Sequence, residues 1–118
     1  MSASTVALVG ALFYRFKALR PLLQEHLEDQ DGGVLPHLLM ADIERWAEAE
    51  IAKGDGDART FVQEVLDFLE DAYATQGAEV EELIAVSFLE HIPRPGEPGS
   101  QLRALVGPRL AGELRRLG

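Results

Sequence analysis

The chain contains no cysteine. That excludes a disulfide framework, a thiolate metal cage and a thiol nucleophile, and it permits a reducing compartment; a cytoplasmic location is the expectation. No stretch alternates apolar and polar residues long enough to mark a strand, and no internal repeat is visible. Nothing approaches the roughly 20 consecutive apolar residues of a membrane helix, so no membrane association is expected. Phosphate-binding glycine loops are missing as well, since Gly54 and Gly56 follow no strand and no Lys-Ser/Thr comes after them. Glu-x-x-His pairs on two helices, the pattern of a carboxylate-bridged metal site, do not occur.

Positive charge is scarce. Eleven basic side chains face 20 acidic ones, for a net charge of -9. The imbalance lies in the middle: residues 22–91 carry Arg45, Lys53 and Arg59 against 18 acids, a net -15, while each end carries +3. An acidic middle argues against nucleic-acid binding, which needs a basic footprint, and suits a basic protein partner.

What is present is helical periodicity. At 118 residues one domain, 1–118, is expected. The apolar run 5–13 has no Lys or Arg before it, Arg15 and Lys17 after it and no clear cleavage site, and so reads as a buried first helix, 5–19, in place of a secretion signal. Pro21 opens a second helix to about Asp29, with Leu22, Leu23 and Leu27 on one side and His26 among them. Asp31-Gly32-Gly33 ends it. Pro36 opens a third helix to about Ala52, with Leu35, Leu38, Leu39, Ile43, Trp46 and Ala47 as its apolar stripe and Glu44, Arg45 and Glu48 as its solvated side. After Lys53-Gly54-Asp55-Gly56, Asp57 is expected to cap a fourth helix, 58–76, whose apolar face runs from Phe61 to Tyr73.

Glu82 to Ile92 is apolar in every direction around a helix, so a helix over about 79–92 should be buried on all sides and central to the fold. The Pro- and Gly-rich 93–99 is a loop. Ser100 then caps a short helix, and Gly107-Pro108 separates it from a last one containing Leu110, Leu114 and Leu117. The fold class is therefore all-α, a single-domain bundle or stack of about six helices around the central one.

Chemistry is sparse. The Asp55-Gly56-Asp57 run resembles the start of a calcium loop, but the sixth position is not glycine and the twelfth is Leu66 where a bidentate Glu is required. His26 with Asp29 is a single pair of ligands, too few for a metal site. Ser87 lies inside the central helix, where a hydroxyl bonds a carbonyl one turn back, and His37 and His91 stand at helix ends with surface roles. No enzyme, cofactor or metal is expected. His26 and Asp42 break apolar stripes and read as a buried structural pair, with Arg109 as the other candidate partner of Asp42. Asp55, Asp57, Glu64, Asp67, Glu70 and Asp71 form one acidic face on and before the fourth helix, the expected partner-binding surface.

Leu35-Pro36-His37-Leu38, Met40-Ala41-Asp42-Ile43, Arg45-Trp46, the segment from Glu82 to Glu90, and Leu105-Val106-Gly107-Pro108-Arg109-Leu110 together resemble a family of small, all-helical bacterial proteins, largely uncharacterised, over about residues 16–115. Some proteins of that kind resemble immunity proteins of toxin and immunity pairs. The resemblance implies a helical fold and carries no functional residues. With the acidic face, it implies an immunity protein that binds and neutralises a cognate toxin; the alternative is a non-catalytic helical adaptor or structural interaction domain.

Overall fold

A computed structural model describes residues 3–30 and 32–117; Asp31, placed above in the turn after the second helix, lies outside them. Helices α1 (Ala3–Arg15), α2 (Arg20–Asp29), α3 (Pro36–Ala52), α4 (Gly56–Thr75), α5 (Ala78–Ser87) and α6 (Pro108–Leu117) are joined by short 3-10 segments, and no strand occurs among the described residues. The radius of gyration, 13.5 Å, matches the value of about 13.5 Å for a packed domain of this length. The all-α single domain expected from the sequence is what forms.

α5 touches α1, α3 and α4, while α6 packs on α4 and on the 3-10 turn Leu89–His91 that follows α5. The segment from α5 through that turn is central, but it is not buried on all sides. Val80, Leu83, Ile84 and Ser87 are buried at i, i+3, i+4 and i+7, one ordinary face of a helix that Ala85 widens, while Glu81 and Glu82 are exposed and Val86 is 43% exposed. The α-helix then stops: Phe88 is its C-cap, with φ stretched to -117°, and the amides of His91 and Ile92 donate to the carbonyls of Phe88 and Leu89. This tightening turns Phe88, Leu89 and Ile92 back into the core. The apolar pattern of 82–92 thus comes from a change of helix type.

The first helix breaks earlier than expected, at Phe16, and its continuation is the 3-10 turn Lys17–Leu19. Phe16 is buried with its ring 5.9 Å from Phe61 and 5.7 Å from Phe68 across α4, and Phe61 meets Trp46 of α3 at 5.4 Å. The Phe16–Phe68 and Trp46–Phe61 pairs are edge-to-face, an arrangement that adds about 0.5–1.5 kcal/mol per pair to the burial. Placing that ring between two turns of α4 is what the break achieves. α4 itself follows its periodicity, with Val62, Val65, Leu66, Leu69 and Ala72 buried.

α3 is rotated partway from expectation. Leu39, Ile43 and Ala47 of the expected stripe are buried, but Met40 and Glu44 join them on one side, whereas Leu35 and Leu38 on the other are exposed, Leu38 by 50%. Glu44, assigned above to the solvated side, is 1% exposed. The reason is tertiary. The 3-10 helix Ser100–Ala104 and the loop before it cover this side of α3, so closely that a Cβ on Gly99 (φ +91°) would sit 2.6 Å from Oε1 of Glu48.

Candidate functional site

The acidic face of α4 is only partly free. Asp55, and not Asp57, is the N-cap: its Oδ1 accepts from the Asp57 amide at 2.8 Å, and the helix begins at Gly56. Asp57, Glu64, Asp67 and Asp71 are exposed along one side of the helix, and none of the ion pairs among the described residues includes them. Asp67 accepts a hydrogen bond from Gln63, whose amide also reaches the Leu105 carbonyl.

Glu70 is not part of that face. Its carboxylate accepts from the amides of Arg109 (3.0 Å) and Leu110 (3.1 Å), closing the N-terminus of α6. Pro108 has no N–H and Gly107 no side chain, so the α6 sequence has no cap of its own, and an acid from α4 supplies it. A Cβ on Gly107 would fall 2.6 Å from that carboxylate and push it away from the amides it caps. Glu70→Ala should cost about 1–2 kcal/mol of stability by losing the cap and its favourable charge at the helix start, read by urea denaturation.

The buried polar pair is also rearranged. His26 is buried as expected, but its Nε2 accepts from the Leu35 amide at 3.0 Å, tying α2 to the start of α3. An accepting nitrogen carries no proton, so Nδ1 holds it. Asp42 stays mostly buried, its side chain 32% exposed, but it pairs with Arg45 one turn along its own helix, with neither His26 nor Arg109. The rotation of α3 is again the cause, because it carries Asp42 to the edge of the core.

That rotation opens a cleft of about 810 Å³ between α2, α3 and the end of α5. It gathers all three histidines of the chain, the Asp42 and Arg45 pair, and Trp46, Leu38 and Val86. Ser87, expected to bond a carbonyl one turn back, is instead hydrogen-bonded to Nδ1 of His37, 50 positions earlier. Ser87 is buried, and among the described residues no carboxylate is hydrogen-bonded to His37 to orient it. The contact locks the first turn of α3 to the last of α5. Among the described residues no three His, Asp or Glu side chains are grouped to hold a metal ion, and no helix is long and apolar enough to cross a membrane.

The side chain that the sequence reading misplaced most is Glu44. Desolvation raises its pKa to about 9, and a hydrogen bond and repulsion from Glu48 add to the rise against a small opposing effect of Arg45. Its Oε2 is buried without a partner. The spacing Met40, Glu44, Ala47 was the available signal, since it continues an apolar face at i, i+4 and i+7.

No curated protein and no solved structure matches the chain significantly. One family model does, and it covers all six helices but the first turns of α1. The match runs over residues 10–117, and the chain belongs to that family, a domain of unknown function (DUF7674).

Proposed function

We propose that the protein is a non-catalytic binding module of immunity type, which docks the acidic side of α4 onto a basic protein surface and so neutralises a cognate toxin in the cytoplasm. The observation that carries this reading is the row of Asp57, Glu64, Asp67 and Asp71, exposed and in no ion pair among the described residues. Glu64 with Asp67 and Asp67 with Asp71 stand one turn apart, and like charges so placed cost a few tenths of a kcal/mol per pair in the free protein. A cationic surface relieves that repulsion. Toxins that act on nucleic acids or nucleotides need basic clefts, and an acidic helix across such a cleft steers association and blocks substrate together.

The test is charge reversal. Asp67→Lys with Asp71→Lys should weaken binding to the partner captured from the native host by at least about a hundredfold, and wild-type association should slow steeply as salt rises. Both positions are exposed, so stability should stay within about 0.5 kcal/mol. Wild-type binding by the double variant would leave the acidic row as a solvated face and nothing more.

A further inference from the structure

The α2–α3–α5 cleft continues past its own end. A second hollow, bounded by Leu35, Pro36, Glu79 and Glu82, shares His37 and Leu38 with it, so the two form one groove along α3 from Arg45 to Leu35. Ten helical residues span about 15 Å, which accommodates nearly three turns of a second helix. Leu35, Leu38 and Val86 are exposed large apolar side chains, and all three lie in this groove. Its rim is acidic: Glu25, Asp29 and Asp42 on one part, Glu79 and Glu82 on the other. Among the described residues lining it, Arg45 is the one fixed cation, and it is already engaged by Asp42.

We infer that this groove receives an amphipathic basic helix of a partner protein, its apolar stripe against Leu38, Val86 and Trp46 and its Lys or Arg residues toward the acidic rim. An apolar floor between helices suits a helix laid in a groove, and no strand edge exists among the described residues for an extended peptide to join. Charge decides between occupants. A second copy of this chain in a two-fold pairing would set the same acidic rim against itself, and an anionic membrane would be repelled. The inference goes beyond the reading of α4 and does not depend on it, since the two surfaces share no residue.

Trp46 is the only tryptophan and lines the groove, so intrinsic fluorescence reports on occupancy. The probe is a synthetic helix of about 14 residues, roughly 21 Å, with leucine at i, i+3, i+4 and i+7 and lysine elsewhere. At about 0.15 M salt, where charges are screened beyond about 8 Å, it should shift Trp46 emission and perturb the amide NMR signals of Leu38 and Val86. Leu38→Lys with Val86→Lys, both at exposed positions, should weaken binding by at least about tenfold with the helical circular dichroism unchanged. Asp67→Lys with Asp71→Lys should leave it within about threefold of wild type. Equal binding by the groove variant, or equal binding of a peptide with the same composition and scattered leucines, would overturn the inference. So would a dimer of the free protein that the groove variant dissolves, which would make a second copy the occupant. Loss of the peptide on α4 reversal alone would also overturn it while supporting the acidic row as the basic-protein site.

Discussion

Phe88→Ala should destabilise the protein by about 3–5 kcal/mol, the range for removing a fully buried phenylalanine. Phe88 has no exposed surface, and it sits where α5 gives way to the 3-10 turn, between the helices that surround α5 and the α6 that packs on the turn. The backbone there has little freedom to collapse into the void, because Phe88 donates to Ile84 and accepts from His91 on either side of the junction. Domains of this size have a total stability of roughly 5–15 kcal/mol, so the variant approaches the folding threshold. Val86→Ala, only two positions earlier, should lie within about 0.5 kcal/mol of wild type, because Val86 faces the cleft. Urea denaturation of the two variants checks both values. Equal losses would mean that α5 is enclosed on every side after all.

The contrast shows which features are readable in a sequence. α4 was legible because its apolar residues occupy one face and its acids the other, so periodicity alone fixes the orientation. α3 was not, since it has apolar residues on two faces: Leu35 and Leu38 on one, Met40 and Ala47 on the other. Which face is buried is decided by α4 and α5, on which α3 packs, together with the 3-10 helix Ser100–Ala104 that covers Glu44's side about fifty residues downstream, and no local rule contains that choice. The rotation that exposed Leu38 and moved Asp42 to the edge of the core also buried Glu44 and opened the cleft, so one ambiguity in α3 misplaced both of its acids. Glu70 failed for a related reason, because its partners lie 39 and 40 positions away. A hint was present even so, in the uncapped Gly107-Pro108 start of α6.

Glu44 should make stability fall as pH rises from about 4.5 to about 9. Its folded pKa is raised above the unfolded value by burial and by Glu48, so the native state holds a proton that the unfolded chain releases. The sign follows from that: the contribution is fully present below about 4.5, and it is lost as pH climbs toward the folded value, at up to about 1.4 kcal/mol per pH unit. At neutral pH the carboxyl is the protonated member of the pair with Glu48, and above about 9 two like charges would share the space beneath the 3-10 helix and the loop that carries Gly99. Glu44→Gln keeps a donor toward Glu48 and removes the titration. Measured by urea denaturation, the variant and wild type should agree to within about 1 kcal/mol at pH 5 and diverge above it, the variant being the more stable by at least about 2 kcal/mol at pH 8. The difference between the two curves isolates this group, since every other titrating side chain is common to both. Parallel curves across that range would place Glu44 in contact with solvent and return α3 to the orientation that its leucines suggest.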